Sequence, residues 1–474
     1  MTRRQLSAIL IAAVGLLTLA VDLAGQERFT LEQVLSSPFP SGLVAAPAGQ
    51  RLAWVFNAEG VRNIWVAVGP NYAARRVTQY SDDDGQAISD VQWTPDGSTL
   101  VFVRGGGPNR RGEYPNPWSL PGGVSREIWA VDSNGGEPRS LTAGAGPALD
   151  PTGEGLAFLR RDGIWWISLE GGEPEPLVQV RGGSGTLRWS PDGQRLAFVS
   201  SRGDHSFVGV YDRQAKRITW LDPSVDRDVY PVWSPDGRRI AFARIPAGRN
   251  PLPFGPQRSG QPWSIRVADV ASGTGREVWR ADPGPGSVPH NVVAEDQLWW
   301  GAGDRLVFPW EKDGWRHLYS VDLDGGEAEL LTPGNFEVEY VALSPDRRTV
   351  IYNSNQDDID RRHLWSVPVA GGRPMRLTPG EGIEWAPTPA ADGEAIALLR
   401  SDARRPARPA ILIGQRIRDL APTAIPDDFP SDALVEPQPV IFSAADGLQI
   451  HGQLFMPRDA RPGDGRPAVL FFHG

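Results

Sequence analysis

Trp189-Ser190-Pro191-Asp192-Gly193, followed by QRLAFV, decides the fold because it recurs. Trp93-Thr94-Pro95-Asp96-Gly97 precedes STLVFV. Trp233-Ser234-Pro235-Asp236-Gly237 precedes RRIAFA, and Leu343-Ser344-Pro345-Asp346-Arg347 precedes RTVIYN. Weaker copies stand at Pro47-Ala48-Gly49, Asp150-Pro151-Thr152-Gly153, Gly303 and Ala391-Asp392-Gly393. The turn positions are thus 49, 97, 153, 193, 237, 303, 347 and 393. A repeat of roughly 40–50 residues made of strands and tight turns points to an all-β fold, a β-propeller with one four-stranded blade per repeat. Eight copies predict eight blades.

Ser-Pro-Asp-Gly suits a tight turn. Pro presets φ at the second position, Asp favours the turn, and Gly follows without steric cost. The run after each turn is apolar or alternating, as a buried strand requires. A second strand pair follows in most units, as in Glu127-IWAVDSNGGEPRSLT, Gly163-IWWISLEGGEPEPLV, His317-LYSVDLDGGEAELLT and His363-LWSVPVAGGRPMRLT. The Gly-Gly pair supplies the positive φ of a hairpin turn. One unit therefore reads as strand A, Ser-Pro-Asp-Gly turn, strand B, loop, strand C, Gly-Gly turn, strand D.

This order sorts the loops by face. The short A–B and C–D turns share one rim. The B–C and D–A connections share the other, and the long insertions fall there: 104–126, 222–230, 245–262, 281–297 and 353–362. Long loops on a rigid scaffold carry recognition, so this rim is the expected functional face. Arg110, Arg111, Glu113 and Tyr114, in the insertion of the second repeat, are candidate substrate contacts.

The 474 residues suit one large propeller plus further segments. Gly 54 and Pro 44 fit a turn-rich β protein, and 18 Trp with 16 Phe need a core. Helical periodicity is nearly absent, with 29–35 the best candidate. The net charge is −9 and no basic cluster is present, which argues against nucleic acid as a partner. With no Cys there is neither a disulfide framework nor a thiolate metal site, and the six His show no ligand spacing. No metal or other cofactor is expected. Arg3 and Arg4 precede an apolar run, Leu6 to Val21, then small residues at Ala24 and Gly25. Residues 1–25 read as a signal peptide or, alternatively, a membrane anchor, so the body is expected outside the cytoplasm.

The propeller is expected over 27–420, followed by a Pro- and Asp-rich linker over 421–438. Beyond it the pattern changes. Pro439-VIFSAADGLQIHGQLFMP reads as a hairpin around Ala445-Asp446-Gly447, and Arg466-PAVLFFHG as an apolar strand. These residues resemble the start of the α/β-hydrolase domain of the prolyl-oligopeptidase family of serine peptidases, in which a propeller precedes the hydrolase. Asp313-Gly-Trp-Arg-His-Leu-Tyr, Leu331-Thr-Pro-Gly-Asn-Phe-Glu-Val and Arg362-His-Leu-Trp resemble its dipeptidyl-peptidase IV branch, which also has eight blades. Residues 439–474 are then the truncated start of a catalytic domain.

The resemblance implies acyl transfer by a Ser-His-Asp triad. No Gly-x-Ser-x-Gly segment lies in a strand–turn–helix context; Gly183-Ser-Gly-Thr-Leu leads into a strand. The triad is expected beyond Gly474, and the chain alone is expected to be inactive. His473-Gly474 matches the start of a His-Gly-Gly-Pro turn, which implies a place beside the oxyanion hole. The dipeptidyl branch holds the substrate ammonium with a Glu-Glu pair on the propeller. This sequence has no Glu-Glu dipeptide. Asp226 and Asp228, either side of Arg227 on a D–A connection, are the candidate replacements. Their difference from the family pattern leaves oligopeptidase or acylaminoacyl-type cleavage open. Peptide substrates, the chain's own hydrolase domain and a second copy of the chain are the expected partners. SPDG-type repeats also occur in TolB-like propellers, so a stand-alone binding propeller is the alternative.

Overall fold

The computed structural model describes residues 29–247 and 261–472. The chain divides into two compact units. One is Pro38–Ala424; the other joins the flanking segments, up to Ser37 and from Ile425 onward. The first unit contains eight four-stranded antiparallel blades, each built from four consecutive strands. They span 39–76, 88–143, 145–178, 183–220, 227–280, 299–330, 338–376 and 383–419. Each blade runs in the order A-B-C-D, as the turn chemistry predicts. One parallel bridge, Ser206 to Arg227, links blades 4 and 5; every other blade has its own ladder.

The repeated phrase works as a hydrogen-bonded unit. The Ser190 hydroxyl donates to Asp192 Oδ1 at 2.5 Å and accepts from the Arg195 amide at 2.9 Å, where strand B begins. Ser234 with Asp236 and Arg239, and Ser344 with Asp346 and Thr349, repeat the arrangement. Thr94 fills the role beside Asp96. These bonds stabilise the charged carboxylate. The Thr94 hydroxyl, helped by Ser98, pulls Asp96 down to about 2, and the Ser234 and Ser344 hydroxyls lower Asp236 and Asp346 likewise. Gly97, Gly193 and Gly237 adopt φ of 69°, 69° and 67° at the turn's last position. Arg347 takes φ 59° at the same place in blade 7, where a side chain is less readily accommodated.

Apolar side chains fill each border between blades. Ala53, Val55, Ile64 and Val66 of blade 1 pack with Val91, Trp93, Leu100, Phe102 and Val131 of blade 2. The sequence left the closure of the ring open. The structure closes it by the same packing: Leu52, Trp54, Phe56 and Ala67 of blade 1 meet Ala395, Ala397 and Ile411 of blade 8, with no strand shared. Gln50 adds a 2.6 Å bond to Asp392 across this border. Directed bonds recur at other borders. The indoles of Trp189 and Trp233 each donate at 2.9 Å to an inner-strand carbonyl of the preceding blade, Ala148 and Arg188. Arg75, Arg139 and Arg276, all on strand D, donate to carbonyls Ser133, Leu169 and Leu323 of the following blade.

In the second unit a short helix, Leu31–Leu35, starts with a capping box. Thr30 and Gln33 each satisfy the other's backbone amide. Gln438–Ser443 pairs with Gln449–Leu454 as an antiparallel hairpin, with Gly447 at φ 87° in its turn. The strand expected from Arg466 onward is not formed over 466–472, where Val469, Leu470, Phe471 and Phe472 are all more than four-fifths exposed. The sequence there has strand-like composition, but a strand exists only as part of a ladder, and no described residue pairs with it. The propeller core extends to Ala421, and Pro422–Ala424 forms a 3-10 turn, so the compact unit runs four residues past 420. The segment 1–25, His473 and Gly474 lie outside the described residues.

Two outcomes follow from the turn chemistry. Ser190→Ala and Ser234→Ala should each lower stability in urea titrations by about 1 kcal/mol, because each leaves an amide and a carboxylate short of a partner. The Asp96 carboxyl is depressed in the folded chain to about 2. Its contribution is therefore complete above the unfolded value near 4 and is lost as pH falls towards 2. Acid titrations of Asp96→Asn should show a smaller loss over that window than the parent; an identical loss would refute the assignment.

Candidate functional site at the propeller axis

The inner strands surround a central cavity of about 1130 Å³. Their sequences differ, yet six share one backbone feature. Gly42, Asp90, Gly146, Thr186, Tyr230 and Ala386 each stand three residues before the strand's end, with φ between 52° and 60°. All six strands carry a register shift at that point; in blade 3 Gly146 and Pro147 together oppose Phe158. A bulge bends a strand and re-aims a side chain. Asp90, Thr186 and Tyr230 accordingly line the cavity. A left-handed backbone is costly for Thr, Tyr and Ala, so the surrounding ladder must enforce it.

Blade 6 departs from this plan. Its inner strand is only three residues, Trp299–Gly301. The preceding residues, 290–298, lie outside the sheet, and 295–298 line the cavity wall. Amides Val293 and Ala294 donate to the Glu339 carbonyl of blade 7. The Gln297 side chain closes the loop on itself, accepting from the Val292 amide at 2.9 Å and donating to carbonyls Val292 and Ala294. Arg316 donates to the Asn291 carbonyl, and the Asn291 amide meets the Tyr230 hydroxyl at 2.8 Å. Asp296 reaches Arg188 of blade 4 at 2.7 Å, and Glu295 lies 3.6 Å from the same guanidinium. Glu295, Asp296 and Gln297 all line the cavity. Sequence reading placed the 281–297 loop on the functional rim but passed over this acidic pair. Its signal was present: adjacent carboxylates directly before a tryptophan-rich inner strand.

The residues chosen from sequence fall in different environments. Asp228 is fully buried, and both carboxylate oxygens are held by Arg244, at 2.7 and 2.9 Å. Burial pushes its pKa up to about 6 against the pull of Arg244, so the pair is charged at neutral pH. Arg244 also holds Asp222 at 3.1 Å, and Asp222 binds Arg266. Asp228 thus belongs to an ion cluster at the border of blades 4 and 5, fully buried and away from the cavity lining. Asp226 is half-buried and accepts from the Ala247 amide at 3.0 Å. Arg110, Arg111, Glu113 and Tyr114 are exposed on the blade 2 insertion. Asn109 organises them: it accepts from the Arg111 and Glu113 amides and donates to the Glu113 carboxylate at 2.7 Å. The nearby Trp118 indole donates to the Asp83 carbonyl and ties this loop to the preceding D–A connection. Asp226 and Asp228 therefore lie at one blade border, while the other four share the blade 2 loop. None of the six lines the axial cavity.

Comparison with known proteins agrees with this architecture. Residues 257–406 match the family described as dipeptidyl peptidase IV (DPP IV) N-terminal region. The chain is 28% identical over 121 residues to dipeptidyl aminopeptidase BIII of Pseudoxanthomonas mexicana, and 27% identical over 127 residues to the uncharacterized peptidase YuxL of Bacillus subtilis (strain 168). Each match takes in 25% of this chain but only 15% and 18% of those relatives. The crystal structure of Porphyromonas gingivalis dipeptidyl peptidase 4 superposes with a TM-score of 0.64 at 14% identity, covering 93% of this chain and 68% of that one. At that identity the superposition shows a shared fold alone. The chain carries a propeller region similar to the N-terminal region of dipeptidyl peptidase IV, the resemblance read above from Asp313 to Arg362.

The two aspartates should separate cleanly on mutation. Asp228→Ala leaves Arg244 buried without its bidentate partner and should cost about 3–5 kcal/mol. Asp226→Ala removes one accepted amide bond and should cost roughly 1 kcal/mol. Urea denaturation of both variants checks this, and equal small losses would contradict the structural role given to Asp228.

Proposed function

We propose that this chain is the N-terminal propeller portion of an exported serine peptidase that cleaves short peptides by acyl transfer. The observation that carries the reading is the match of residues 257–406 to the DPP IV N-terminal region. The hairpin over 438–454, followed by Pro467-AVLFFHG, adds the start of a hydrolase domain. In this reading the nucleophile, its histidine and its aspartate follow Gly474. His473 and Gly474 come to lie beside the oxyanion. The propeller limits access to short or unstructured peptides through its decorated rim and axial cavity. Cleavage is of the dipeptidyl or oligopeptidase type. With Asp228 engaged by Arg244, an ammonium-binding role falls to other carboxylates of the rim or cavity.

Reading the coding sequence past the Gly474 codon tests this directly. The expected result is an open frame of roughly 200–250 further residues, one domain's worth, with Gly-x-Ser-x-Gly and then Asp and His. A stop codon there would overturn the peptidase reading and leave the stand-alone binding propeller. The purified 474-residue chain should release no chromophore from dipeptidyl or oligopeptidyl anilides. Hydrolysis sensitive to a serine-directed fluorophosphonate would place a nucleophile within this chain and refute its assignment beyond Gly474.

A further inference from the structure

Of the chain's 18 tryptophans, all among the described residues, Trp118 alone stands mostly exposed, at 54%. Tyr114 and Leu120, in the same insertion of blade 2, are exposed at 42% and 45%. Among the described residues of the propeller unit, no other stretch this short exposes three large apolar side chains. The loop does not expose them by being loose. The Trp118 indole is pinned to the Asp83 carbonyl at 3.1 Å. Asn109 closes the turn up to Glu113, and Asn116 closes the next against both backbone groups of Leu120. Gln86 donates to the Pro115 carbonyl, and a Cβ on Gly85 would collide with Pro117. Trp, Tyr and Arg dominate interface energies, and a group already ordered binds at little entropic cost.

The charges beside it indicate the partner. At the turn before Tyr114, Glu113 is occupied by Asn109, while neither the Arg110 nor the Arg111 guanidinium has a partner among the described residues. On the other side, the connection to which Trp118 is pinned carries Asp82 and Asp83, both exposed. Asp82 accepts from the Ser81 hydroxyl, and Asp83 uses one oxygen for both Arg62 and the Gly85 amide. One ridge thus has a cationic end, an aromatic middle and an anionic end, with no ion pair between its own ends. A two-fold axis through the middle sets each cationic end on the other copy's anionic end, so the ridge is complementary to itself. We propose that this blade 2 ridge is an interface between two copies of the chain. Trp118 and Tyr114 form its centre, and Arg110 and Arg111 pair with the acidic connection of the other copy. The proposal is independent of the peptidase reading, because it concerns the propeller surface alone.

Sedimentation equilibrium of the 474-residue chain over a concentration series tests it. The expected result is a reversible monomer–dimer equilibrium. Trp118→Ala should weaken it about thirty-fold, as loss of a central anchor does. Arg110→Asp with Arg111→Asp should abolish self-association, and so should Asp82→Arg with Asp83→Arg, because each sets like charges against each other. An equimolar mixture of those two variants should form a dimer again, one copy of each. That rescue needs the two sets to meet across the interface, and a local loosening of either loop would not produce it. Association through the exposed apolar residues 469–472 would ignore both reversals. A chain that stays monomeric throughout the series, association untouched by the reversals, or a mixture that fails to pair would each overturn the proposal.

Discussion

Each blade completes its own ladder, so the ring depends on what crosses from one blade to the next. Backbone pairing gives the propeller eight separate sheets and a single parallel bridge. A few single backbone bonds also cross, such as the Ala302 amide to the Arg347 carbonyl and the Glu384 amide to the Arg362 carbonyl. The rest is side chain: apolar packing at the borders, tryptophan indoles reaching back to the preceding inner strand, and strand-D arginines reaching forward to the following blade. This explains why the phrase is Trp-Ser-Pro-Asp-Gly rather than a bare turn. Ser and Asp fix the hairpin inside the blade, and in blades 4 and 5 Trp ties that hairpin to its neighbour. It also explains why closure needs no exchanged strand. Blades 1 and 8 meet as any other pair meets, through buried apolar faces, and burial of such surface is worth about 25 cal/mol per Å² wherever it occurs.

The same constraint decides the fate of polar groups at the borders. Asp228 and Glu384 stand five residues before the end of their inner strands, in blades 5 and 8. Both are buried, and each meets a buried base: Asp228 meets Arg244, and Glu384 meets His363 of blade 7 at 2.9 Å. A carboxylate at this position points into the seam between blades, where leaving it without a partner costs several kcal/mol. The position therefore selects for clamps rather than ligands. His363 and His317 also begin strand C in their blades, and in both the next residue's amide is capped by a threonine hydroxyl at 2.9 Å, from Thr378 and Thr332. The Arg-His-Leu segments that carry the family resemblance are, physically, part of how a blade holds its neighbour.

This clarifies what was legible in the chain. Turn residues act locally, so the blade count, strand order and the two unequal rims could all be read from Pro, Asp and Gly spacing. Side-chain pairings between strands are not local. Asp228 and Arg244 face each other across two strands of blade 5, 16 residues apart, and nothing in Asp-Arg-Asp shows that one carboxylate turns inward while the other caps a loop. The inner-strand bulges were hidden for another reason. The residues at φ above 50° are Gly, Asp, Gly, Thr, Tyr and Ala, so composition gives no common mark; the conformation is imposed by the ladder around it. The terminal apolar segment misled in the opposite way, since its residues favour a strand that no described neighbour pairs with.

The decorated rim follows from the same division of labour. A–B and C–D turns lie where each blade's hairpins are fixed by the Ser-Asp unit and the Gly-Gly pair, and an insertion there would separate paired strands. The B–C and D–A connections only need to span from one rigid strand to another, and loop closure grows slowly with length. Blade 6 shows how far this tolerance extends. Its D–A connection has taken over most of the inner strand, leaving three residues in the ladder, and the freed segment lines the axis with two carboxylates. The lost ladder bonds are replaced by the segment's own Gln297 side chain and by the Glu339 carbonyl of blade 7. A blade can surrender part of its innermost strand because the borders, not the inner strands alone, hold the ring. That is how a structure of repeated sheets comes to place one unrepeated, charged segment at its centre.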